Sequence, residues 1–138
     1  MRIAGVDPGN EGAIATYCDE SGAWDLIDLL RMPLISSGRY KSKDNKTVDS
    51  RGLSLYLSEM RIEKAYVEMV TAMPAQQGGK TVQGAASTFN FGYNTGALES
   101  VLRLLGIDIV YVRAVDWKRH HMLLKTDKMA AVRSACYH

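Results

Sequence analysis

Two acidic side chains stand where acids are costly. Asp7 closes the apolar run Ile3-Ala4-Gly5-Val6, and Glu68 lies inside Tyr66-Val67-Glu68-Met69-Val70. Both runs read as strands near the middle of a sheet. A carboxylate in such a strand loses hydration, so it must be paired, protonated or bound to a cation. The strand context alone leaves an ion pair with Arg or Lys and a metal site equally open. The residues after Asp7 shift the balance toward the metal. Asp7-Pro8-Gly9-Asn10-Glu11-Gly12 leaves the strand through small residues, so a phosphate can approach closely. Two carboxylates on adjacent strands can hold a divalent ion such as Mg²⁺, which takes oxygen ligands in octahedral geometry and keeps several waters. Two such ions about 4 Å apart can activate a water and stabilise the oxygen leaving a phosphodiester. That chemistry needs about three or four carboxylates, so Asp7 and Glu68 are an incomplete set.

The elements that position these acids follow from punctuation and periodicity. The first strand turns through Asp7-Pro8-Gly9-Asn10 into a second strand at 12–17, hairpinned to it. A turn at 19–22 leads to a third strand at 24–32. Residues 36–47 are polar, basic and aperiodic, and predict a mobile loop. Asp49 or Ser50 caps a helix to about residue 60, with Leu53, Leu57 and Met60 on one face. A fourth strand is predicted at 65–70, and a loop at 71–80 holds Pro74, Gly78 and Gly79. A long helix follows from about 82 to 105, ended by Gly106. Residues 107–112 read as a fifth strand, and 115–123 and 127–137 as two short helices. This order predicts a single α/β domain over 1–138, with an antiparallel start and a parallel continuation. In such sheets, sites gather at the carboxyl ends of strands, near the point where strand order reverses.

Composition narrows the partners. The 138 residues suit one domain, and 46% are apolar, enough for a core. No run of apolar residues is long enough to span a membrane, and the start does not resemble a signal peptide. Cys18 and Cys136 alone suggest no disulfide framework, so a soluble, reducing, cytoplasmic setting is expected. The net charge is +2, but residues 36–47 carry a net +3 and residues 113–133 a net +4, leaving −5 on the remainder. Basic segments on an acidic body point to a polyanion partner rather than to ordinary lysine decoration.

Several stretches, in order along nearly the whole chain, resemble RuvC-type Holliday-junction resolvases. Ile3-Ala4-Gly5-Val6-Asp7-Pro8-Gly9 resembles the family's opening strand, and Tyr66-Val67-Glu68 its second acidic strand. The run Ser87-Thr88-Phe89-Asn90-Phe91-Gly92-Tyr93-Asn94-Thr95-Gly96 is similar to the start of its long helix. Val115-Asp116-Trp117-Lys118 resembles the segment after the fifth strand, and Thr126-Asp127-Lys128 the next helix start. Ala72-Met73-Pro74 and Ser87-Thr88-Phe89 look closer to the phage branch, which would place the protein in a host cytoplasm.

The resemblance implies an RNase H-like fold, with a five-stranded mixed sheet flanked by helices. It implies a crossover junction endodeoxyribonuclease that resolves four-way or other branched DNA by hydrolysis dependent on Mg²⁺, with Mn²⁺ as substitute. Asp7 and Glu68 would be its catalytic metal ligands, and Lys118 a catalytic group at the scissile phosphate. Lys80, in a loop over 71–83, would lie against the junction strands. Arg39, Lys41, Lys43, Arg119 and Lys128 would also bind DNA. The family acts as a homodimer with two symmetric sites. It supplies its last carboxylates from a final helix, whereas this sequence stops at Tyr137-His138. Either the sequence is a fragment or the site is degenerate; the last helix carries no stop signal, so a fragment is expected, and the chain as given is expected to bind DNA and cut poorly or not at all. Nothing marks Asp116 or Asp127 as a substitute.

Other features carry less. Gly79-Lys80-Thr81 invites a P-loop reading, but the position that needs the first glycine is Pro74. His120 and His121 diverge on a helix and are poorly placed to share a zinc. Gly92 and Gly96 form a small-residue face whose preferred reading is close packing on the sheet, with a dimer contact as the alternative. Phe89 is expected in the core, with stacking on an unpaired base as the alternative. Two other functions compete: a non-catalytic junction-binding module, and a fragment of an actin- or sugar-kinase-like ATPase, which would need two such halves.

Overall fold

The computed structural model describes residues 1–20, 22–36, 46–69 and 85–121. Three strands open the chain as an antiparallel meander: β1 (Arg2–Val6), β2 (Ala13–Asp19) and β3 (Trp24–Arg31). Two short strands follow, β4 (Leu34–Ser36) and β5 (Lys46–Val48), and then α1 (Ser50–Glu59), β6 (Lys64–Met69), α2 (Ala85–Leu104), β7 (Asp108–Arg113) and α3 (Ala114–His120). The main sheet has the order β3-β2-β1-β6-β7, with β6 and β7 parallel to β1. The expected five-stranded mixed sheet is therefore present, and β1 sits at its centre, where the direction of strand addition reverses.

One face of the sheet builds the core. Ala4 and Val6 of β1, Ile14 of β2, and Ala65 and Val67 of β6 alternate inward. They are buried with Leu53 and Leu57 of α1 and Leu98, Val101 and Leu102 of α2. Each fully buried leucine contributes roughly 1.5–3 kcal/mol. Asp49 caps α1 by accepting from the Gly52 N–H at 3.1 Å. Gly106 leaves α2 at φ +70°, a conformation a side chain would penalise, while the Ile107 N–H donates back to the Leu102 carbonyl at 3.0 Å.

Three expectations change. The ends of the predicted 36–47 loop are strands, because Leu34-Ile35-Ser36 pairs with Lys46-Thr47-Val48 as a separate two-stranded ribbon. Residues 37–45, with the expectation that they are mobile, lie outside the described residues. Gly92 and Gly96 do not pack on the sheet: both are exposed, and a Cβ added at either would meet nothing within 4 Å among the described residues. The reason is angular, since Asn94, Leu98, Val101 and Leu102 define the inward side of α2 and the two glycines fall on the other side. Phe89 shares that outer side and is 62% exposed, so it is not core. The predicted helix at 127–137 lies outside the described residues. Among the described residues no helix is long and apolar enough to cross a membrane.

Candidate active site

Register brings the two acids together. Val6 of β1 lies opposite Val67 of the parallel β6, so Asp7 and Glu68 follow at the carboxyl ends of neighbouring strands. Both line one open cleft of about 270 Å³, together with Val6, Tyr66, Val112 and Trp117.

Asp7 is held by the turn it starts. Its N–H donates to the Ala13 carbonyl at 3.0 Å, continuing the β1–β2 pairing. Its Oδ1 accepts from the Gly9 N–H at 3.1 Å, a local aspartate turn. The Gly12 N–H closes the turn on the Gly9 carbonyl at 2.9 Å. A Cβ on Gly12 would collide with the Asp7 backbone and lie 2.8 Å from the Gly9 oxygen, so only glycine fits. The turn is also tied from outside. Asn94 of α2, 1% exposed, donates through Nδ2 to Asn10 Oδ1 at 2.7 Å, and its Oδ1 accepts from the Val48 N–H at 3.2 Å.

Glu68 is half-buried, and among the described residues no Lys or Arg pairs with it, so the ion-pair alternative finds no partner there. Its partner is neutral: the Trp117 indole Nε1–H donates to Oε2 at 2.9 Å. Trp117 is carried by α3, whose first turn is clamped by Arg113. The Arg113 guanidinium meets Asp116 with two hydrogen bonds, Nε to Oδ2 at 2.6 Å and Nη2 to Oδ1 at 2.9 Å. This fork holds the Asp116 carboxyl below its ordinary value and commits it to Arg113.

The donor set fits a hard divalent cation. Asp7 and Glu68 each have one oxygen engaged by an N–H, and the other oxygen has no hydrogen-bond partner among the described residues. Mg²⁺ or Mn²⁺ suits such oxygens and can complete its shell with waters and substrate phosphate. Among the described residues no third His, Cys, Asp or Glu joins the pair. Glu99 lines a second depression of about 240 Å³ on the α2 side of Glu68, but it sits 3.8 Å from the Arg103 guanidinium.

Of the other residues singled out in the sequence, Lys118 and Arg119 are described. Lys118 Nζ lies 5.3 Å from the centroid of the Trp117 ring, and the side chain of α3 that reaches into the cleft is Trp117. Arg119 Nη1 lies 3.7 Å from Asp116 Oδ1. Arg39, Lys41, Lys43, Lys80, Lys128 and Asp127 lie outside the described residues. His120 and His121 stack edge to face, with ring centroids 5.1 Å apart. Three contributors escaped the sequence reading. Asn94 carried a signal, as a polar residue in the inward series with Leu98, Val101 and Leu102. Gly12 carried a weak one, as the last small residue of the turn. Trp117 carried none beyond an indole beside Lys118.

A mixed sheet with an antiparallel meander running into parallel strands, and acids at the carboxyl ends of two central strands, defines an RNase H-like fold. Among solved structures, the chain is similar to Thermus thermophilus RuvC in complex with a Holliday junction substrate. The TM-score is 0.59 at 17% identity, over 86% of this chain and 70% of that one. A further Thermus thermophilus RuvC structure matches with a TM-score of 0.56 at 16% identity, over 94% of this chain and 74% of that one. At such identities the likeness establishes a shared fold. No protein-family model and no curated protein sequence matches the chain.

Proposed function

We propose that the chain is a structure-selective endonuclease that cuts four-way and other branched DNA by metal-dependent hydrolysis of a phosphodiester. The observation that carries this reading is the pairing of Asp7 and Glu68 at adjacent strand ends in one cleft, each with a free oxygen and no Lys or Arg partner among the described residues. The fold shared with RuvC supports it. Asp7 and Glu68 would hold Mg²⁺ or Mn²⁺, which supplies Lewis acidity and a water of lowered pKa. The small residues of the turn after Asp7 would let a phosphate approach closely. Lys118 would meet the scissile phosphate. Arg119, with Arg39, Lys41, Lys43, Lys80 and Lys128, would neutralise neighbouring phosphates and make binding steeply salt-dependent. A homodimer would present two such sites to two strands, and a phage origin would put the reaction in a host cytoplasm.

The test is incubation of a four-way junction with the complete gene product and Mg²⁺ or Mn²⁺. Cleavage is expected, and Asp7→Asn should lower its rate at least about a hundredfold, because metal stabilisation of the transition state is worth several kcal/mol. A wild-type protein that leaves junctions intact with either metal would end the nuclease reading. A second reading, a junction-binding module without catalysis, is favoured by the gathering of only two carboxylates among the described residues. It predicts tight, salt-sensitive junction binding without cleavage.

A further inference from the structure

We propose that Trp117 determines which divalent cation the site accepts, by keeping one oxygen of Glu68 occupied. The inference rests on the cation reading of Asp7 and Glu68 given above.

A carboxylate that binds Ca²⁺ often does so with both oxygens, at 6–8 coordination, whereas Mg²⁺ demands near-ideal octahedral geometry with short bonds. The Trp117 Nε1–H donates to Glu68 Oε2 at 2.9 Å, so Oε1 is the oxygen with no hydrogen-bond partner among the described residues. The Gly9 N–H engages Asp7 Oδ1 in the same way, leaving Oδ2. Two carboxylates that each keep one oxygen hydrogen-bonded suit a small octahedral ion and oppose a larger ion's two-oxygen grip. The indole is a neutral donor, so it orients Glu68 without cancelling the charge the cation needs. It is also fixed in place. The Arg113–Asp116 fork clamps the first turn of α3, and the Trp117 ring forms part of the wall of the cleft that holds both acids. Backbone fixes the Asp7 contact, whereas the Glu68 contact depends on one side chain and can be removed by substitution.

The experiment is titration of the whole chain with Mg²⁺ and with Ca²⁺ by calorimetry, comparing wild type, Trp117→Phe and Glu68→Gln. Phenylalanine keeps an aromatic wall and loses the N–H. Mg²⁺ affinity should fall about tenfold or more in W117F, the scale seen when a hydrogen bond to a metal ligand is removed. Ca²⁺ affinity should hold or rise, so the preference for Mg²⁺ shrinks. A proportional loss of both ions, or no change in either, overturns the selectivity role. Wild type that binds neither ion in a Glu68-dependent way overturns instead the cation reading beneath it. Indole ¹⁵N–¹H spectra of wild type supply a second measurement that needs no variant, and only Trp24 and Trp117 contribute. Saturating Mg²⁺ should leave the Trp117 N–H hydrogen-bonded and slow to exchange, and Ca²⁺ should release it. Release by Mg²⁺ overturns the proposal, and this arm decides alone if W117F does not fold.

Discussion

Asp7 faces the cleft because the turn after it is too tight for a side chain at its far end. The Gly12 Cα sits so close to the Asp7 carbonyl that an added methyl overlaps it, and the Gly9 oxygen is 2.8 Å away on the same side. These neighbours are backbone and cannot swing aside. Gly12 also closes the turn by donating to Gly9, and its own carbonyl accepts from the Met32 N–H at 2.9 Å. A methyl group there must push the Asp7 peptide outward or break one of these bonds. Gly12→Ala should therefore cost about 1–3 kcal/mol, the range of an overpacked interior site. It should also weaken metal binding by displacing Asp7. Urea unfolding reads the first effect and Mg²⁺ titration the second. Unchanged stability would mean that the turn is looser than its hydrogen bonds indicate.

At the scale of elements, Asn94 is a tie between three of them. It belongs to α2, donates to Asn10 in the turn after β1, and accepts from the Val48 N–H at the end of β5. Asn94→Leu keeps the volume but leaves a buried N–H at Val48 without its acceptor, a loss of about 1–3 kcal/mol. Thermal unfolding should show that loss. Val48→Ala, which keeps the backbone bond, should leave the Asn94–Asn10 contact in place. Much of the frame around the site was legible in the sequence. The apolar runs ending at Asp7 and holding Glu68 identify β1 and β6, Asp49 marks the start of α1, and Gly106 marks the end of α2. These are local signals that the fold reinforces. The ribbon of β4 and β5 was not legible, because three-residue strands owe their identity to a partner 10–14 residues away. Trp117 was not legible for the same reason: its bond joins α3 to Glu68 of β6, 49 residues earlier in the chain. Gly92, Gly96 and Phe89 misled because their spacing is helical on either side of α2, and composition does not say which side turns inward.

Across the whole molecule, the sheet reverses at β1 and gathers its acids at one end, while the outer side of α2 presents a different surface. Phe89 is 62% exposed, Leu104 is 86% exposed, and Gly92 and Gly96 lie between them in sequence, with no described residue within 4 Å of a Cβ added at either. A helix face of small residues bordered by large apolar ones lets a second helix approach closely, and a two-fold axis brings each such face against its copy. This is the surface on which the proposed two-site homodimer would form. Gly96→Glu tests it without threatening the fold, since glutamate is the better helix former by up to about 1 kcal/mol. In a two-fold contact the variant places two like charges near each other out of water, which costs several kcal/mol. Dimer dissociation should then rise at least about a hundredfold, because each 1.4 kcal/mol is a factor of ten. Sedimentation velocity across a concentration series measures it, with Ser58→Glu on the exposed end of α1 as the control. Loss of the dimer should also separate the two cuts on a four-way junction, so that nicked intermediates accumulate where wild type releases paired products. A wild-type chain that sediments as a monomer at every concentration, or a Gly96→Glu chain that dimerises as tightly as its parent, would remove α2 from the assembly.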